Sequence, residues 1–323
     1  MKGFKAFATG LAVALLASSA VRAETEYPSR TIKLVVGFGA GGGVDIVARL
    51  VAQKLQESLG QNVVVENKPG GNSMLGPDMV AKSAPDGYTL LYGASGQMVI
   101  SPAVYTNKMP YQTLKDFVPV SLMANYPVIL ITSAKHPAAN MKEFIAWAKA
   151  NPDKTNYASS SAAFTLSAEL FKMKTGTPGQ AIIYKSSNES VTNVIGEQVT
   201  YAIAEPPPIV PQVVAGKARA LAVASPTRLA DLPDVPTMKE VGIDMDVSLA
   251  TGVYAPAGTP PEIVKKLEAE CIRIARSQDF QQKLRALSTD TIGSTSAEFI
   301  KTLDAEIKMW TEVARKADIK FDR

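Results

Sequence analysis

The sequence predicts an α/β fold made of two facing halves with a small-molecule cleft between them. Two observations predict it. Short apolar runs alternate with stretches whose apolar residues recur at three- and four-residue steps, as in strands joined by crossover helices in largely parallel sheets. The unit of strand, small-residue loop and helix also occurs once in each half, with glycines in the first loop and serines in the second. Clefts between two such halves bind small molecules and close about hinges.

The first 23 residues read as a secretory signal. Lys2 and Lys5 form a positive start, Leu11–Ala17 an apolar core, and Val21-Arg22-Ala23 a small-x-small cleavage site. The core is too short to span a bilayer, and no later run of about twenty apolar residues follows. Cleavage after Ala23 and a periplasmic location are expected. Removing Lys2, Lys5 and Arg22 lowers the formal charge from +4 to +1, which gives no footing for nucleic acid. Cys271 is the only cysteine, so no internal disulfide forms, and its helical setting marks a buried structural thiol.

The chain after the signal opens on Lys33–Asp45. Leu34-Val35-Val36 reads as a strand covered on both faces, Gly37–Gly43 as a glycine loop, and Val44, Val47, Val51 and Leu55 as one face of a helix ending near Gly60. A helix N-terminus carries unpartnered N–H groups and partial positive charge, and bare glycines let an anion approach them. A carboxylate or phosphate site is expected here, carried by main-chain donors. Gly37, Gly39 and Gly42 also satisfy G-x-G-x-x-G, with Glu66 after the run Val63–Val65, the layout of a dinucleotide fingerprint. An exported protein has no free supply of nicotinamide cofactor, which argues against that reading.

A second glycine turn, Lys68–Ser73, leads to a helix over Met74–Ala81. Pro85-Asp86-Gly87 turns into a strand at Tyr88–Tyr92, which exits into Gly93–Gln97. Three strands thus end in small polar loops, where open α/β sheets bind ligands. The pattern changes near Ala124. Val128–Thr132 reads as a crossing strand and Met141–Ala150 as a helix. Asn156–Thr165 repeats the opening unit with hydroxyls, followed by a helix through Leu166, Leu170 and Phe171. Ile182–Ser187 and Val199–Glu205 are further strands leading into polar turns. After Ala218–Ala224 comes a linker at Pro233–Thr237, then Gly252–Pro256 and two long helices, Pro261–Ser277 and Ser296–Lys316.

Catalytic machinery is not legible. His136, the only histidine, precedes Pro137 and reads as a surface loop residue. Without a second histidine or a G-x-S-x-G elbow there is no Ser-His-Asp triad and no histidine metal site. The serines read as hydrogen-bond donors, and Glu268 and Glu270 as a solvated helix face. No catalytic residue, metal or cofactor is expected.

Many motifs in order then make the chain resemble the Bug family, the extracytoplasmic solute receptors of the tripartite tricarboxylate transporter system. They are Tyr27-Pro28, Gly41–Arg49, Val63–Gly70, Ala84–Leu91, Asn156–Ser159, Ala215–Val223, Leu232–Thr237 and Ala255–Pro261. The resemblance implies a type-II periplasmic-binding-protein fold. Residues 24–124 and 238–323 would form one domain and 125–237 the other. It implies no enzyme activity, a small organic carboxylate as ligand (a di- or tricarboxylate or an aromatic acid), membrane transporter subunits as partners, and a monomer. One ligand carboxylate would rest on Phe38, Ala40, Gly41, Gly42 and Asp45, with Asn72, Ser73, Ser95, Gly96 and Gln97 completing that wall. Ser159, Ser160, Phe164 and Thr165 would close from the other domain with the turns carrying Ser186, Ser187, Ala204 and Glu205. Asp45 would cap its helix or orient a water, and Phe38 and Phe164 could sandwich a flat ring. The chain departs from the family at Ser186-Ser187, where two glycines are common, and at Ala204 and Thr200, where aspartates are. An exported enzyme using the same cleft and a ligand receptor for a sensor kinase are the rival readings.

Overall fold

The computed structural model describes residues 27–105 and 109–316, so the signal segment lies outside the described residues. The first lobe opens with β1 (Ile32–Val36), α1 (Gly43–Leu59), β2 (Val63–Asn67), α2 (Leu75–Ala81) and β3 (Thr89–Ala94). β1 pairs in parallel with β2 on one side and β3 on the other. α1 buries Val44, Val47, Val51 and Leu55, the face read from the sequence, and stops at Gly60, whose φ of 68° only glycine adopts without cost. A π-helical turn (Gly96–Ile100), α3 (Ser101–Val104) and α4 (Thr113–Asp116) then lead to β4 (Phe117–Pro127).

β4 runs the length of the first sheet's antiparallel half. Only Val128 separates it from β5 (Ile129–Ser133), which belongs to a second sheet. That second lobe continues with α5 (Met141–Ala150), β6 (Asn156–Ser159), α6 (Ala162–Thr175), β7 (Gln180–Ile183), α7 (Ser187–Ile195), β8 (Tyr201–Ala204), α8 (Pro206–Val214) and β9 (Ala218–Val223). The chain returns through 224–247 to β10 (Ser248–Pro256) in the first sheet, then forms α9 (Pro261–Arg276), α10 (Gln278–Arg285), β11 (Asp290–Thr291) and α11 (Ser296–Lys316). The two passages lie side by side, since the Ala224 N–H donates to the Val128 carbonyl at 2.8 Å.

The strand orders are β11-β4-β10-β3-β1-β2 and β7-β6-β8-β5-β9. This corrects the expectation of largely parallel sheets: β10 is antiparallel to both β3 and β4, and β5 is antiparallel to both β8 and β9. The cause is the double passage. A strand that leaves one sheet for the next arrives against the direction set by the strand–helix–strand units. β4 has no clear signature in the sequence because Pro119, Ser121 and Asn125 interrupt its apolar pattern. α8 is hidden in the sequence because Pro206, Pro207 and Pro208 look like a break. They occupy its first three positions, where no intrahelical acceptor awaits an N–H.

The parallel strands β1, β2 and β3 end toward the glycine loops, and β6, β7 and β8 end toward the serine turns. These two sets of loops face each other across the lobes.

Candidate functional site

The β1–α1 loop is shaped by one buried carboxylate. Asp45 is 2% exposed. It accepts from the Gly41 N–H at 2.9 Å, from Asn67 Nδ2 at 2.8 Å and from Arg49 Nε at 3.0 Å. Asn67 also donates to the Phe38 carbonyl at 3.0 Å, so the end of β2 pins both sides of the loop. Burial alone would raise the Asp45 carboxyl. The hydrogen bonds from Arg49, Gly41 and Asn67 and the Arg49 charge outweigh it and hold the group below its ordinary value. Asp45 is therefore a clamp on the loop, and Gly41 takes the φ of +80° that the clamp requires. Glu66, the dinucleotide candidate, pairs with Lys33 at 3.0 Å on the surface.

Across the lobes, the Gly39 N–H donates to the Lys185 carbonyl at 2.8 Å. The Gly43 N–H donates to Glu205 Oε1 at 2.8 Å, and Ser187 Oγ donates to Glu205 Oε2 at 2.8 Å. Ser187 Oγ lies 3.1 Å from Ser160 Oγ. Four helix N-termini converge here. Gly43 and Ser187 are the first residues of α1 and α7, Glu205 precedes α8, and Ser160 stands just before the start of α6. Their dipoles and open N–H groups make this region electropositive without a cationic side chain. The expectation of bare main-chain donors is thereby corrected at three of them. Gly41 meets Asp45 of its own lobe, and Gly39 and Gly43 meet acceptors of the opposite lobe because the lobes stand closed on one another. Among the described residues no acceptor meets the N–H of Ala40 or Gly42.

The other predicted residues divide by what already holds them. Gln97 is fully buried, donates from Nε2 to the Ser73 carbonyl at 2.7 Å and accepts from the Ala94 N–H, which ties the 72–73 turn to the end of β3. Asn72 and Ser73 both take positive φ. Asn72 Nδ2 donates to the Tyr105 hydroxyl, while Asn72 Oδ1 is buried with no partner among the described residues. Ser95 exchanges two hydrogen bonds with the Ala250 backbone. Ser159 and Thr165 bond each other at 2.8 Å and both reach the Ser161 carbonyl. Ser186 caps α7 by accepting from the Glu189 N–H, and Ala204 is buried at the end of β8. Phe38 and Phe164, expected to flank a flat ring, are each 5% exposed.

Three residues outside the expected site set join the cluster. Gly43 meets Glu205. Asn188 lies beside Gly41, with Nδ2 3.3 Å from the position a Gly41 Cβ would take. Ser161 faces lobe one, with its Oγ 3.2 Å from the equivalent point on Gly96. Nothing in the run Ser159-Ser160-Ser161 marks which serine turns across the cleft. A cleft of about 550 Å³ opens nearby between Asn72 and Tyr105 of one lobe and Tyr157, Thr165 and Lys172 of the other.

Burial is the largest influence on Glu205 and raises its carboxyl above 4.5, against the lowering by its own N–H, Ser187 and Gly43. A raised value in the closed form means that form takes up a proton before the open or unfolded chain does. Closed-state stability from Glu205 therefore grows as pH falls from neutrality toward 4.5 and is lost as pH rises through the raised value. Asp45, held low, gives stability that is fully present above its ordinary 3.8 and is lost only as pH falls below it. The difference in melting temperature between wild type and Glu205→Gln should thus move in favour of wild type between pH 7 and 5. A pH-independent difference would refute this.

His136 corrects a sequence expectation. It is half-buried, with Nδ1 accepting from the Ala138 N–H at 3.1 Å and its ring 4.5 Å from that of Trp147 on α5. Burial lowers its value, and it lies in the second lobe away from the cluster. Cys271 is fully buried, and burial beside Glu270 and Glu268 pushes its thiol up to about 12, far from thiolate chemistry.

Comparison with known proteins places this geometry. The model of the tripartite tricarboxylate transporter family receptor, TctC, matches residues 47–319. Protein BugT of Bordetella pertussis is 33% identical over 315 residues, spanning 97% of each chain. Among solved structures, R. palustris Rpa4515 with adipate superposes with a TM-score of 0.87 at 32% identity, covering 91% of this chain and 99% of that one. MatC (Rpa3494) from Rhodopseudomonas palustris with bound malate gives 0.85 at 30% identity, covering 89% and 99%. The two mixed sheets and their double passage are thus the two-domain periplasmic-binding-protein fold of type II. The chain belongs to the TctC family of solute-binding receptors, as one of its Bug proteins.

Proposed function

We propose that this receptor captures a small organic carboxylate in the periplasm and delivers it to the membrane subunits of a tripartite transporter. The observation that carries the reading is the convergence of the β1–α1 loop with the N-termini of α6, α7 and α8 at one place between the lobes. Open main-chain donors at Ala40 and Gly42, aided by the dipole of α1, suit a carboxylate without any cationic side chain. The relatives crystallised with adipate and malate support the same ligand class. Binding would select the closed form by touching both lobes at once, with the passages at Val128 and 224–247 acting as the hinge between residues 24–124 with 238–323 and residues 125–237. Export with cleavage after Ala23 and the absence of any bond-making step complete the proposal.

A thermal-shift and calorimetry panel of mono-, di- and tricarboxylates and aromatic acids tests it. At a ligand concentration one hundred times Kd, mass action stabilises the fold by about 2.7 kcal/mol, a shift of several degrees. Saturable stabilisation by at least one acid, with the acid recovered unchanged, is the expected result. No response across the panel, or turnover of a hit, overturns the reading.

A further inference from the structure

The place in this fold best prepared for an anion is already filled by the protein. Glu205 is 1% exposed, and both of its carboxylate oxygens accept a hydrogen bond, one from the α1 N–H of Gly43 in the opposite lobe and one from Ser187. No lysine, arginine or histidine among the described residues pairs with it. The approach is close. A Cβ on Gly43 would fall 2.4 Å from Glu205 Cγ, so it is the bare last glycine of the loop that admits this side chain. The three prolines that follow Glu205 fix the backbone that aims the glutamate across the cleft.

We propose that Glu205 is a specificity-determining residue: its carboxylate fills the anion position at the N-terminus of α1 from within, so the closed cleft rejects a ligand carboxylate directed at Gly43. Such a group would meet a buried charge of the same sign with no cation between them. A ligand carboxylate is left the neighbouring N–H groups of Ala40 and Gly42, and the ligand atoms that border Glu205 are neutral or hydrogen-bond donors. The occupancy of the position stands on geometry alone. The selectivity rests on the reading that the lobes close on small carboxylates.

Two variants test it. Glu205→Ala vacates the position, and sodium formate, compared with sodium chloride at equal ionic strength, is then expected to raise its melting temperature saturably by a few degrees more than that of wild type. Equal responses, or none in the variant, overturn the proposal. Glu205→Gln keeps the shape and removes the charge. The affinity ratio of adipate to hexanoate is expected to move about tenfold toward adipate relative to wild type. An unchanged ratio, or loss of both affinities in the variant alone, overturns it, and this arm decides the matter if the alanine variant does not fold. Should wild type bind neither acid nor any other carboxylate, the functional reading fails while the formate arm still decides the occupancy.

Discussion

Gly43→Ala is expected to shift the protein from the closed to the open form while leaving both lobes folded. Gly43 is the first residue of α1 and does not take positive φ, so alanine suits its backbone and its helix. The cost arises across the cleft. The added Cβ would stand 2.4 Å from Glu205 Cγ and 2.9 Å from its Oε1, distances that require the two lobes to separate or the glutamate to leave its position. Overpacking of this kind costs about 1–3 kcal/mol, or about 5- to 150-fold in the closure equilibrium and in any affinity that depends on it. Gly42→Ala is the control, because its Cβ would meet only ordinary contacts of 3.5 Å and beyond. Small-angle scattering reports the compactness, and far-UV circular dichroism the integrity of the lobes. In a Glu205→Ala background the Gly43→Ala penalty should vanish, since the colliding atoms are gone. A penalty that persists there would place its origin within α1 and remove the interlobe explanation.

Asp45→Ala is expected to lower stability by about 1–2 kcal/mol, since it strips a partner from the half-buried Gly41 N–H and from the half-buried Asn67 amide together. The half-exposed Arg49 returns to water and adds little to that figure. The larger share comes from the Gly41 N–H, whose acceptor is Asp45, while Asn67 Nδ2 keeps the Phe38 carbonyl as a second acceptor. Asp45→Asn keeps one acceptor oxygen and should lose roughly half as much. Chemical denaturation gives the difference directly. A change of less than about 0.5 kcal/mol, typical of surface substitutions, would show that the clamp is ornamental. Because the same carboxylate sets the path of Gly39–Gly43, the variant should also weaken carboxylate binding in proportion to the loosened loop.

The two outcomes rest on different links between sequence and structure. Asp45 was legible as a first-turn acid of a glycine-led helix, and the local spacing from Gly41 to Arg49 already brings its partners within reach. Asn67, the partner from β2, needed the parallel pairing of β1 with β2 to bring it there. Glu205 was legible only as an unusual acid ahead of three prolines. Its direction depends on where β8 lies in the second sheet, on the turn before α7 and on how the lobes stand together. These are relations among residues 162 positions apart that no periodicity encodes.

Periodicity and turn chemistry, both local, determined the glycine-led helix with its buried face, the α/β class, the repeated strand–loop–helix unit and the absence of a histidine-based catalytic set. Only the tertiary structure decided that the sheets are mixed, that β4 carries the chain from one lobe to the other, that His136 is packed against Trp147, and that Gly39 and Gly43 spend their N–H groups on oxygens of the opposite lobe. The physical reason is that a main-chain donor is identical at every glycine in a sequence. What it binds is settled by which acceptor the fold brings within 3 Å of it, and that acceptor here comes from elements far along the chain.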